Sequence, residues 1–99
     1  MTLQPRFPLG QTVITPRALG ELTHEEVIAA LGSHVSGAWG EVPPTVENAN
    51  ETAVEFHEPV ISAYRSPSAG TRFFVVTSAD RSQTTVFLNG EMGQPGPRL

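Results

Sequence analysis

Residues 71–88 constrain the fold more than any other stretch of the chain. An apolar run, Phe73-Phe74-Val75-Val76, is followed by Asp80-Arg81-Ser82-Gln83-Thr84-Thr85 and then by Val86-Phe87-Leu88. Two segments rich in β-branched and aromatic residues, separated by so short a link, read as adjacent strands of an antiparallel hairpin. The first strand is apolar on both faces, which suits a central position covered by helices on at least one side. The link carries an acid, a base and three hydroxyls, more chemistry than a turn requires. The rim of the sheet is therefore the first place to look for a site.

Upstream, Val60–Arg65 forms a third strand, joined to Thr71–Ser78 by Ser66-Pro67-Ser68-Ala69-Gly70, where glycine supplies a positive φ. Thr84–Leu88 is the last strand, and the Asp80–Gln83 connection leads with an Asp that can hydrogen-bond its own turn. The clearest helix start is Thr23-His24-Glu25-Glu26, a capping box in which the Thr hydroxyl and the Glu26 carboxylate exchange bonds with each other's backbone N–H. Leu22 and Val27 flank it at staple spacing, and Val27, Ile28, Leu31 and Val35 share one helical face. Gly32 weakens this helix by about 1 kcal/mol relative to alanine, and Gly37 is a left-handed stop. After a loop through Trp39 and Pro43-Pro44, Thr45 is expected to cap a second helix to about Glu55, with Val46, Ala49, Ala53 and Val54 on one side. Near the amino terminus, Gln11–Ile14 reads as a short strand added to one edge of the sheet. Thr15-Pro16 then starts a single helical turn through Leu19, ending at Gly20. The resulting β-α-α-β-β-β order implies an α+β fold, a two-layer sandwich of N-terminal helices packed on an antiparallel meander of three to four strands. Residues 1–88 form one domain, and the Gly/Pro-rich segment 89–99 is expected to be a flexible tail.

Ninety-nine residues suffice for one core, since a chain of this size buries roughly 60–65% of its surface. The ten acids outnumber six bases, all of them arginine, for a net charge of −4. The arginines are scattered from Arg6 to Arg98, so no cluster exists to release counterions from a phosphate backbone, and nucleic-acid backbone binding is not expected. The acids are spread too thinly for the chain to imitate nucleic acid. The absence of cysteine excludes disulfides, thiolate metal sites and a cysteine nucleophile. No basic-then-apolar leader and no apolar run of about 20 residues is present, so neither secretion nor a membrane span is expected. A cytoplasmic location follows as the default.

Several residues are candidates for chemistry. His34 falls in the last turn of the capped helix, where the helix dipole favours its protonated form. It reads either as a helix-terminating residue bonded to a carbonyl or as a general base. His24 and His57 read as surface residues, and no pair of histidines has a tight metal-ligand spacing, so neither a metal nor a cofactor is expected. Trp39, between Ala38 and Gly40, either plugs the core or offers an exposed stacking surface. Asp80 and Arg81 read as an Asx-type turn with an exposed arginine. The functional alternative makes Arg81 an anion clamp, with Ser82, Thr84 and Thr85 as hydroxyl donors. Ser62 and Tyr64 point to one face of their strand and join that cluster if the face is the sheet's open one. No P-loop, dinucleotide fingerprint, nucleophile elbow or His-Glu-x-x-His motif occurs.

The segment Phe7–Leu19, the pattern His34-x-x-Gly37-x-Trp39-Gly40, Asn48, Ser62-x-Tyr64 and the run Thr77-x-Ala79-Asp80-Arg81-Ser82-x-Thr84-Thr85-Val86 together resemble a family of small bacterial proteins met on plasmids and other mobile elements. The resemblance covers roughly residues 7–88. It departs at Ala38 and Ser33, where the family pattern carries an acid and a basic residue. It brings no established reaction. It implies a shared polar set of His34, Trp39, Asn48, Ser62, Tyr64, Asp80, Arg81, Ser82, Thr84 and Thr85.

These residues support three expectations. The first is a small cytoplasmic accessory or binding protein that holds a protein partner or a small anion on a polar rim floored by Trp39. The second is a small hydrolase or transferase with His34 as general base, Asp80 orienting it, and Arg81 with Thr84 stabilising negative charge. In the third, the set is a buried network fixing helices onto the sheet. Homodimerisation through a sheet edge is a further expectation. Exposure decides among these.

Overall fold

The computed structural model describes residues 5–91. The fold is α+β. Strand β1 (Gln11–Ile14) is followed by helices α1 (Pro16–Glu21), α2 (His24–Ser36) and α3 (Pro44–Phe56), then by strands β2 (Val60–Arg65), β3 (Arg72–Thr77) and β4 (Gln83–Leu88). The sheet order is β1-β4-β3-β2. Strands β2, β3 and β4 form the expected antiparallel meander, with Ala63 opposite Phe74 and Phe74 opposite Phe87. β1 joins the free side of β4 in parallel, pairing Thr12 with Thr84 and Ile14 with Val86. The sheet is therefore mixed, since a strand separated from its neighbour by the whole helical half of the chain is not bound to hairpin geometry.

Local chemistry accounts for most helix ends. The Thr15 hydroxyl accepts from the Ala18 N–H at 3.2 Å, with Pro16 in the first turn. The helix continues past Leu19 and Gly20 to Glu21, one residue beyond the expected stop. The capping box of α2 is complete, with Thr23 N–H donating to Glu26 Oε1 at 2.9 Å and Glu26 N–H donating to Thr23 Oγ1 at 3.1 Å. Gly37 ends α2 with φ 92°, in the left-handed region. Helix α3 departs from expectation: its N-cap is Pro43, without a side-chain cap bond, and Thr45 lies inside the first turn. Pro44 explains this, because its fixed φ suits the first helical position and it has no N–H to satisfy. The buried face of α3 also differs, with Asn50 and Ala53 inward and Ala49 exposed.

Two apolar clusters fill the space between helices and sheet. Ala18, Leu22 and Ala30 pack on Phe73, Val75, Val86 and Leu88. Phe7, Trp39, Ala53 and Val60 form the second cluster, near α3. Gly40 brings the loop against β2, with Ala63 N–H donating to the Trp39 carbonyl and Glu41 N–H to the Ala63 carbonyl. Its φ is 75°, and a Cβ there would collide with the Ala63 carbonyl and the Tyr64 ring, so only glycine fits. Residues 89–91 are fastened to the domain: the Glu91 carboxylate accepts from the Leu88 N–H at 2.8 Å and from the Thr15 hydroxyl at 2.9 Å. The rest of the expected tail, 92–99, lies outside the described residues. Among the described residues no helix is long and apolar enough to cross a membrane.

Trp39 is 4% exposed and stacks on Phe7 with ring centroids 6.3 Å apart, so it plugs the core rather than the surface. Trp39→Ala is expected to lower unfolding stability by about 3–5 kcal/mol, read from the midpoint of urea denaturation.

Candidate functional site

The histidine-bearing turn and the last hairpin do converge in space, at a place closed to water. His34, Ser62, Thr77 and Thr84 are each 0% exposed. Alternation places Ser62 on the helix-covered face of β2, with Thr77 and Thr84 beside it on β3 and β4. His34 Nδ1 lies 2.5 Å from Ser62 Oγ, and Nε2 lies 2.8 Å from Thr77 Oγ1. Thr77 Oγ1 is 2.7 Å from Thr84 Oγ1, which donates to the Leu9 carbonyl at 2.7 Å.

The direction of every bond in this chain follows from its last member. A carbonyl only accepts, so the Thr84 proton goes to Leu9 and Thr84 must receive from Thr77. Thr77 then receives from His34, which places the ring proton on Nε2 and leaves Nδ1 as the acceptor for the Ser62 hydroxyl. The imidazole is neutral. Burial, and secondarily the positive charge of Arg81, push its pKa down to about 4. The dipole of the last helical turn favours the protonated ring by about 0.3–1 kcal/mol, and the loss of hydration outweighs it.

Asp80 and Arg81 part company within one turn. Arg81 adopts φ 62°, and its guanidinium turns inward, donating to the carbonyls of Ala53, Glu58 and Ser78 at 2.7, 2.7 and 2.9 Å. It lies over the Phe7 ring, 5.4 Å from the centroid, and the residue is 7% exposed. Two of these carbonyls belong to the end of α3 and the residues after it, so Arg81 closes that terminus in place of the exposed arginine expected. Asp80 stays outside and forms the expected turn. Its Oδ1 accepts from the Ser82 and Ser78 hydroxyls and the Ser82 N–H, which hold its pKa near 2. Asp80 does not orient His34, whose two ring nitrogens are engaged by Ser62 and Thr77.

The remaining candidates separate. Trp39 Nε1 donates to Glu51 Oε2 at 3.0 Å, and Glu51 also pairs with Arg6 through two bonds of 2.8 and 2.9 Å. Tyr64 donates its phenolic proton to the Ala38 carbonyl at 2.6 Å, and burial raises its pKa to about 12. Ser82 is exposed. Thr85 sits on the sheet face away from the helices and accepts from Gln83 Nε2 at 3.2 Å. Asn48 is exposed, and the asparagine that matters structurally is Asn50, 2% exposed. Its amide donates to the Ile61 carbonyl at 2.7 Å and accepts from the Ile61 N–H at 3.1 Å, docking α3 to β2. The signal for Asn50 was its spacing, four residues after Val46 and three before Ala53, on the apolar stripe.

An open concavity lies elsewhere, between the first three turns of α2 and the β2–β3 hairpin. It measures about 570 Å³. Small residues on α2, Ala29, Ala30 and Ser33, face Tyr64 and Phe73 across it. Glu26 fixes its mouth: beyond its capping bond, the carboxylate accepts from the Ser66 hydroxyl and from the Ser68 N–H and hydroxyl at 2.8–3.0 Å. The Thr23 N–H of the capping bond, followed by these donors, holds the Glu26 pKa near 2. Among the described residues no group of three His, Asp or Glu side chains is placed to hold a metal ion. No family model, curated protein or solved structure matches this chain.

Two outcomes follow. Arg81→Ala strips three carbonyls of a charged donor and is expected to cost about 2–3 kcal/mol, seen as a lower thermal midpoint. His34 is neutral in the fold and titrates near 6.5 when unfolded, so the unfolded chain binds the extra proton between pH 6.5 and pH 4. Stability is therefore expected to fall on acidification through that window by up to about 1.4 kcal/mol per pH unit. In His34→Gln, urea midpoints measured across the window should lose this slope.

Proposed function

We propose that this chain is a small cytoplasmic accessory protein that binds a protein partner in the groove between α2 and the β2–β3 hairpin. One contrast carries the proposal: His34 and the hydroxyls of Ser62, Thr77 and Thr84 around it are sealed, while the groove is open and held in shape. A base must reach the proton it abstracts, directly or through one water. His34 and Ser62 have no exposed atoms and both ring nitrogens of His34 are occupied, which argues against the hydrolase or transferase alternative. Arg81, its supposed anion stabiliser, has its guanidinium on three carbonyls. The same observation moves the binding surface away from the Asp80–Thr85 rim and from a small anion.

The groove has the attributes of a pre-formed site. Its volume falls within the usual range for ligand pockets, its walls are mainly apolar, and Glu26 fastens helix to hairpin before any ligand arrives. Because the walls are already in place, binding costs little ordering entropy. Fragment screening by amide chemical-shift mapping tests the proposal. Hits are expected to perturb residues 25–33 and 64–68. Ala29→Trp, at an exposed position lining the groove, should abolish those shifts while leaving the thermal midpoint within a few degrees. Hits that cluster on the Asp80–Thr85 rim instead, or ester hydrolysis that disappears in His34→Gln, would contradict it.

A further inference from the structure

We infer that the groove takes an extended segment of a partner protein through an arginine side chain, stacked on Tyr64 and paired with Glu25. The inference rests on the groove being the binding surface and adds the chemistry of its occupant. The argument is one of unmet charge. Among the described residues, three acidic or basic side chains border the groove: Glu25, Glu26 and Arg65. The Glu26 carboxylate is saturated by Thr23, Ser66 and Ser68. The Arg65 guanidinium faces Glu41 at 3.3 Å and the Gly70 carbonyl at 3.2 Å. Glu25 is exposed and takes part in no side-chain hydrogen bond or ion pair among the described residues. The free charge at the groove is thus a single carboxylate, and its complement is a cation.

The shape narrows the cation. The half-buried Tyr64 ring and Phe73, with centroids 5.9 Å apart, give the groove an aromatic floor. A planar guanidinium can lie flat on such a ring while its edge forks onto a carboxylate, which a compact ammonium cannot do. The lining on α2 runs from Thr23 to Ser33, about 15 Å of helix. That length matches roughly four to five extended residues and exceeds a lone amino acid. Apolar neighbours of the arginine would meet Ala29 and Pro67. The acidic balance of the whole chain also favours encounter with a basic segment.

The test is a titration of the ¹⁵N-labelled protein with acetyl-Ala-Leu-Arg-Leu-amide, its citrulline isostere and its glutamate counterpart. The arginine peptide is expected to shift residues 25–33 and 64–68 and to bind roughly tenfold more tightly than the citrulline peptide. Glu25→Gln should shrink that preference to the part that stacking on Tyr64 supplies, and Ala29→Trp should block all three. Equal binding of the arginine and citrulline peptides at the groove would overturn the arginine inference and leave the groove as the binding surface. Absence of groove shifts with every peptide and every fragment would overturn both.

Discussion

The one-way hydrogen-bond chain from Ser62 through His34, Thr77 and Thr84 to the Leu9 carbonyl is the constraint on which the rest of this structure depends. It links α2, the three strands of the meander and the segment that leads into β1, all inside the core. Each member has one donor proton or one acceptor lone pair committed, so no member can be replaced without leaving a neighbour unsatisfied in a dry environment. The chain also fixes the tautomer of a histidine that could otherwise serve as a base. A dyad in which a serine donates to a histidine resembles a catalytic pair on paper. Here it lies beneath Phe7 and Trp39, whose rings pack on the imidazole with centroids 5.2 and 6.0 Å away.

Arg81 performs a second, related task. It brings the β3–β4 turn to the end of α3, so that helix, turn and Phe7 share one buried cation. The adjacent Asp80 remains solvated, and the positive φ of Arg81 is what sends the two side chains in opposite directions. Opposite charges placed side by side in sequence therefore do separate work. The acid organises a turn and the base terminates a helix. Asn50 acts similarly, presenting a side-chain amide to β2 where a neighbouring strand would present a peptide group.

Much of the fold was legible in the sequence because its cues are local. The capping box at Thr23, the left-handed stop at Gly37 and the strand Val60–Arg65 each depend on a few consecutive residues. The start of α3 was misplaced because Thr45 offered a side-chain cap, whereas the two prolines before it set the backbone without one. The polar set was legible in part. The resemblance grouped His34, Ser62 and Thr84 in one polar set, yet it could not tell a wet cluster from a dry one, since that depends on which sheet face the helices cover. Thr77 and Asn50 went unremarked as bond-makers because a lone polar residue in an apolar pattern shows its role only through its partner. The groove was invisible for a different reason: it exists where small side chains on α2 meet an aromatic pair on β2 and β3, a property of packing rather than of any motif.

The imidazole proton of His34 tests this account most directly. A long-range ¹H–¹⁵N spectrum of the folded protein at pH 7 should show a neutral ring with its proton on Nε2 and a bare Nδ1, slow to exchange with solvent. A charged ring, a proton on Nδ1, or rapid exchange with water would contradict a sealed, directed network and would reopen His34 as a residue that meets a substrate.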